Sequence, residues 1–125
     1  MKINLSDSEW KLMNRLWDRA PMTIMELTAA LREDTGWTKN TVITMLSRLE
    51  AKGAVRHEEG PRAKHYYPCL IREDAAQAET ESFLGKVYGG SLGLMMSTMV
   101  DSRKLTEADI AELSAILEKA GGAER

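Results

Sequence analysis

Apolar residues recur at helical spacing in three successive stretches, alternate briefly, and then return to helical spacing to the end of the chain. Trp10, Met13, Leu16 and Trp17 form a stripe that predicts a helix from about Asp7 to Arg19, ended by Pro21. Leu27, Ala30 and Leu31 predict a second helix over 24–33, broken by Gly36. A third starts near Thr38 and stops at Gly53, which suits a helix C-cap. Past Gly53 the period shortens. "AVRHEEGPRAKHYYPCL" predicts two strands around a turn at Glu59-Gly60-Pro61-Arg62. Val55 and His57 alternate with charged neighbours, Tyr66, Tyr67, Cys69 and Leu70 supply bulk, and Pro68 marks an edge. From Arg72 a long helix carries Phe83, Leu84, Val87 and Tyr88 on one stripe and ends at Gly89-Gly90. "SLGLMMSTMV" predicts a short apolar helix. "TEADIAELSAILEKA" predicts a last one with Ile110, Leu113, Ile116 and Leu117 inward, followed by a frayed "GGAER".

Three of these helices open on a hydroxyl three residues before a carboxylate: Ser6 and Glu9, Thr23 and Glu26, Thr106 and Asp109. This is the capping-box pattern, in which the hydroxyl accepts from a free N–H and the acid reaches back. The order is therefore α-α-α-β-β-α-α-α, with a minimal strand at Met22-Thr23. The predicted fold class is mainly α with a small β-hairpin. A winged helix-turn-helix unit occupies 1–70 and a helical region occupies 71–125.

Composition narrows the class. A chain of 125 residues with 43% apolar and 29% charged residues is globular. The one Cys cannot form an internal disulfide, which points to a reducing compartment. No run of 18 apolar residues and no signal-peptide core is present, so a soluble, cytoplasmic protein without membrane insertion is expected. The net charge of −2 does not suggest nucleic acid, but its distribution matters more. Residues 1–69 hold 11 Lys/Arg against 9 Asp/Glu, and residues 70–125 hold 6 against 10. Within 36–68 the balance is 6 against 3. Ordinary surface variation explains this split about as well as a basic binding face does.

Projected at 100° per residue, the third helix separates two faces. Val42, Met45, Leu46 and Leu49 fall on one side, and Asn40, Thr41, Thr44, Ser47 and Arg48 on the other. A solvated face ordinarily mixes Glu and Lys in i,i+4 pairs. This one offers neutral hydrogen-bonding groups and a cation, with Glu50 only at the edge of the apolar side. Such groups suit base edges: Arg bonds guanine bidentately, Asn bonds adenine, and Thr bonds bases or touches the thymine methyl. Lys39 and Lys52 stand at the helix ends, where phosphate contact is expected. At the hairpin tip, Arg62 and Lys64 are placed to reach a flanking phosphate. Glu58 and Glu59 weaken that part, and a Thr-rich solvated helix or a protein-docking face remains the alternative.

Catalytic chemistry has little to stand on. Cys69 and His65 make no zinc set, and Cys69 is expected to be buried and structural. There is no paired carboxylate in a cleft, phosphate loop or nucleophile elbow. Neither an enzyme nor a cofactor is expected. The last third holds more apolar surface than three short helices bury by themselves. Phe83, Leu84, Val87, Tyr88, Leu92, Met95, Met96, Met99, Ile110, Leu113 and Leu117 are therefore expected to form a homodimer. A two-fold dimer presents two copies of the third helix to successive major grooves, hence a pseudo-palindromic site on double-stranded DNA.

Several of these stretches, in order, resemble the penicillinase repressor family, with its methicillin-resistance and copper-responsive members. "SEWKLMNRLWD" resembles the family's first helix, and "TVITMLSRLEAKGAV" its recognition helix with the Gly that follows. "HYYPCL" resembles the end of the wing, and "FLGKVYGG" the dimerisation region. The resemblance implies a homodimeric winged-helix transcriptional repressor on operator DNA, controlling antibiotic-resistance or cell-envelope-stress genes. It places DNA contact on Thr41, Thr44 and Arg48. Many members carry a basic residue where this chain has Asn40, which bears on half-site preference. The β-lactam-linked members are cut at an Asn-Phe bond after a membrane sensor protease detects drug. The similar stretch here is "STMVD", with Thr98-Met99 in place of that pair. The copper members' paired CxC motifs are missing, which excludes copper sensing by that route.

Overall fold

The computed structural model describes residues 3–123. Its elements are α1 (Asp7–Arg19), α2 (Ile24–Thr35), α3 (Lys39–Lys52), β1 (Val55–Glu59), β2 (Lys64–Pro68), α4 (Arg72–Tyr88), α5 (Leu92–Asp101) and α6 (Glu107–Ala123). The expected order and fold class hold. All three capping boxes form: Ser6 N–H donates to Glu9 Oε1 at 2.8 Å, Thr23 N–H to Glu26 Oε1 at 2.9 Å and Thr106 N–H to Asp109 Oδ2 at 3.1 Å. Gly36 and Gly53 close α2 and α3 in the left-handed region, at φ 68° and 83°, where a side chain is strained. Helix α2 runs two residues past the expected Glu33, to where Gly36 turns left-handed and its N–H caps the Arg32 carbonyl at 2.9 Å. Helix α6 continues through Gly121 and Gly122 where a frayed tail is predicted. No Pro or left-handed Gly interrupts it. Glu124 and Arg125 lie outside the described residues.

The chain falls into two compact units, Met1–Glu79 and Thr80–Arg125. The expected division at 70/71 and this one differ because the start of α4 belongs to the first unit. Ala75 is buried there, and Arg72 bonds Asp18 at 2.7 Å.

The first unit has one core. Leu12, Met13 and Leu16 from α1 meet Leu27 and Leu31 from α2, and Val42, Met45, Leu46 and Leu49 from α3. Fully burying each such side chain stabilises the fold by about 1.5–3 kcal/mol. Met22, Ala54, Val55 and Tyr66 close the core at the hairpin. The α1 stripe is rotated from the predicted one. Leu12 is fully buried, whereas Trp10 and Trp17 are only half-buried, their rings 5.7 Å apart and tilted by 58° at its edge. An indole N–H needs an acceptor, and Trp17 finds one on the Leu70 carbonyl at 2.8 Å.

Strands β1 and β2 pair antiparallel from Val55↔Pro68 to Glu59↔Lys64. The expected minimal strand exists as a bridge. Met22 and Tyr66 exchange backbone bonds of 3.1 and 2.8 Å, fastening the hairpin to the α1–α2 connection. Cys69 is exposed, contrary to expectation. Leu70 takes the place against the core, so its neighbour points outward.

In the second unit α4 ends at Gly89-Gly90, and Ser91 caps α5 through the Leu94 N–H at 3.0 Å. Phe83 and Tyr88 meet edge-on at 5.9 Å. Among the described residues from Thr80 onward, no side chain is buried. Ile110 and Leu117, expected to face inward, are 51% and 65% exposed.

Candidate nucleic-acid interface

Helix α3 is packed on one face and free on the other. Val42, Met45, Leu46 and Leu49 are buried, while Asn40, Thr44, Ser47 and Arg48 are exposed. Positions 40, 44, 47 and 48 recur at the spacing that puts side chains on one helical face. Thr41 is half-buried beside them, its hydroxyl 3.3 Å from that of Thr38. Thr38 caps the helix by accepting from the Thr41 N–H at 3.3 Å. Thr44 Oγ1 bonds back to the Asn40 carbonyl at 3.0 Å, which occupies its proton and leaves its lone pairs and methyl available.

Electrostatics separates α3 from most of its neighbours. Helices α1, α2, α4 and α6 each carry acid in the first turn, which offsets the positive end of the helix dipole; α3 carries none. Its edges are instead held by side-chain bonds to other elements. Glu50 Oε2 lies 2.6 Å from Nδ1 of His57 on β1, whose ring packs 5.5 Å from that of Tyr66. Lys52 donates to Glu9 Oε1 at 2.5 Å and to the Asn4 carbonyl at 2.9 Å. Burial raises the Glu9 pKa, but bonds from Lys52 and Ser6 outweigh it and hold the carboxyl below the usual range. Lys52 is thus committed within the chain, unlike the phosphate-reaching cation expected at that position. Lys39 and Arg48 are exposed and have no ion-pair partner among the described residues.

The hairpin tip lies at residues 60–63. A Cβ on Gly60 would stand 2.7 Å from the Ala63 carbonyl oxygen and 2.8 Å from the His65 ring, so the turn closes too tightly for a side chain. Arg62 and Lys64 are exposed and unpaired among the described residues. One of the two acids that weaken a phosphate contact is offset: Glu58 accepts from Arg56 at 2.7 Å. That bond to Glu58 raises the Arg56 pKa, and its guanidinium also covers the Tyr67 ring at 4.2 Å. Burial pushes the Tyr66 phenol up.

Two residues of this surface escape a reading by polarity or by helix. Ile43 is 39% exposed beside Ser47 on α3, an apolar group able to touch a thymine methyl. Arg32 on α2 lines the same groove as Lys39, a juxtaposition that only the fold creates.

The surface joins an exposed polar helix face, uncompensated cations and a wing, the parts by which winged helix-turn-helix proteins meet a duplex. The family model described as penicillinase repressor matches residues 5–119. A penicillinase repressor of Bacillus licheniformis is 31% identical, with 92% of this chain and 90% of that protein covered. The methicillin resistance regulatory protein MecI of Staphylococcus aureus is 25% identical, with 92% and 94% covered. Among solved structures, monomeric Bacillus licheniformis BlaI in complex with the blaP half-operator is 32% identical, with a TM-score of 0.52 over 58% of this chain and 90% of that one. With the family's fold, its helix order and its sequence pattern all present, the chain belongs to the penicillinase repressor family.

Proposed function

We propose that the protein is a transcriptional repressor that binds pseudo-palindromic operator DNA as a homodimer. The outer face of α3 carries the reading: Asn40, Thr44, Ser47 and Arg48 are exposed together on a helix without an acidic first turn. Thr41, Thr44 and Arg48 read base edges, and Lys39, Arg62 and Lys64 contact phosphate. The half-operator bound by the similar BlaI supports the DNA-binding reading.

Dimer formation falls to the second unit. Phe83, Val87, Leu92 and Leu117 are 45–65% exposed on the single chain. Leu84, Tyr88, Met95, Met96, Met99 and Leu113 are half-exposed beside them, and Ile110 lies on the same stretch of α6 as Leu113. Surface of this kind marks an interface. Release from DNA by a sensor protease is part of the same reading. The Thr98-Met99 bond lies inside α5, where Ser102 N–H donates to the Thr98 carbonyl at 3.0 Å. Cleavage there requires the last turn of α5 to unwind first.

The test is titration of the full chain against duplex DNA from upstream of its own gene and against an unrelated duplex, at two salt concentrations. Sequence-preferring, salt-sensitive binding is expected. Arg48→Ala should cost about 1–3 kcal/mol at one base position. Binding to a protein partner with none to any duplex would favour a protein-docking module instead.

A further inference from the structure

The proposed DNA contacts do not use His57, which stands where α3 meets the hairpin. Its Nδ1 lies 2.6 Å from Glu50 Oε2 in the last turn of α3, and its Nε2 lies 3.8 Å from Glu59 Oε1 beside the wing tip. Strand alternation puts Val55, His57 and Glu59 on one face of the hairpin. Across the ladder that face continues with Tyr66 opposite His57 and Lys64 opposite Glu59. The Tyr66 ring packs 5.5 Å from the imidazole. The elements packed most closely on β1 are α3 and β2. The charged and titratable groups facing His57 are thus Glu50 from α3, Glu59 from its own strand, and Tyr66 and Lys64 from β2.

A carboxylate only accepts, so the bond to Glu50 needs a hydrogen on Nδ1. In the neutral ring Nε2 then carries none and turns a lone pair toward Glu59. The protonated ring has an N–H on both nitrogens and serves both acids. That proton strengthens the bond that fixes the wing against α3, because a charged donor bonds a carboxylate more strongly. It also offsets Glu59, the acid that stands opposite Lys64 where a phosphate is to dock. Histidine is the side chain whose charge ordinarily changes between about pH 5 and 8. We propose that His57 is a positioning residue whose protonation is coupled to DNA binding. The duplex selects the form with an imidazolium between Glu50 and Glu59 and takes up a proton as it docks. Binding therefore strengthens as pH falls. The inference rests on the DNA-binding reading and adds a regulation to it.

The full chain is titrated against the upstream duplex and an unrelated duplex of equal length, at fixed salt, from about pH 8 to about pH 5.5. Wild-type affinity should rise as pH falls, by at most about tenfold per pH unit for each protomer bound. Both duplexes should gain alike, because the wing meets phosphate rather than bases. His57→Gln, which keeps a donor for Glu50 but takes up no proton, should bind with a flat pH profile. Glu59→Gln should tighten binding at about pH 8 and move the rise to more acid pH, since one of the acids that favour the imidazolium is gone. His65→Gln, on the other face of the hairpin, should keep the wild-type profile. The pH profile is the readout that a merely structural role would leave in place, and Glu59→Gln decides the matter if His57→Gln fails to fold. A rise that persists in His57→Gln, disappears in His65→Gln or is unaltered in Glu59→Gln overturns the proposal. A wild type that prefers the upstream duplex with no pH dependence overturns it and leaves the repressor reading intact. No binding of the wild type to either duplex at any pH overturns both.

Discussion

Glu9 shows how one side chain serves two local structures at once. It is 3% exposed, completes the α1 capping box with Ser6 and accepts from Lys52 at the end of α3. The pattern Ser6–Glu9 is legible in the sequence, but the partner 43 residues away is not. A free surface Lys and a paired one read alike until the fold brings α1 beside α3. Because the Glu9 carboxyl is held low, the pair contributes stability above the ordinary glutamate pKa. That contribution is lost as pH falls through the lowered value. Glu9→Gln should cost about 1–3 kcal/mol near neutral pH. The lower end is expected because Lys52 is 40% exposed and water screens the pair. Urea unfolding of wild type and variant from about pH 7 to about pH 3 checks this. The gap between them should narrow on the acid side, and a gap that widens there contradicts the ion pair. Cys69 is the opposite case. A thiol among β-prone residues reads as core, yet alternation beside Leu70 turns it to solvent.

At the scale of elements, most of the first unit is legible because its signals are local. The capping boxes of α1 and α2, the Gly that ends α3 and the change of period after Gly53 each act within a few residues. What is not legible depends on packing between elements. The Trp10 and Trp17 stripe has helical spacing, but Leu12 wins the core and the indoles sit at its edge. The α2 groove is invisible for the same reason, since Arg32 and Lys39 belong to different helices. Two glycines make the local rules testable. Gly53→Ala places a side chain at φ 83° and should destabilise the fold by about 1–2 kcal/mol, read as a lower unfolding midpoint in urea. Gly60→Ala acts elsewhere, because its Cβ meets the Ala63 carbonyl at the wing tip rather than the core. It should leave the urea midpoint nearly unchanged and weaken binding to the upstream and unrelated duplexes alike, through displaced Arg62 and Lys64. A large stability loss with unaltered binding would assign the tip a structural role only.

For the whole molecule, the question is what the second unit is for. Its apolar stripes are written at helical spacing, and spacing alone assigns them inward. In the single chain they face solvent: Phe83, Leu92 and Leu117 are 45%, 54% and 65% exposed. Three helices that bury none of their described side chains from Thr80 onward lack a core of their own, which is why a second copy of the chain is the economical partner. A two-fold arrangement answers a requirement of the first unit as well. One α3 reads few bases, whereas two joined copies read two half-sites and multiply their affinities. The expected mass in solution is that of two 14.0 kDa chains. Phe83→Ala and Leu117→Ala should each weaken association by about 1–3 kcal/mol, roughly 5- to 150-fold in the dissociation constant. Sedimentation equilibrium over a dilution series measures it. Operator affinity should fall in step, most sharply at protein concentrations where the variant is monomeric, while unfolding of the first unit stays unchanged. If both variants remain dimeric at every dilution, the interface lies on other residues. If the wild type is monomeric throughout, the exposed stripes need a different partner, and the two-half-site arrangement goes with the dimer.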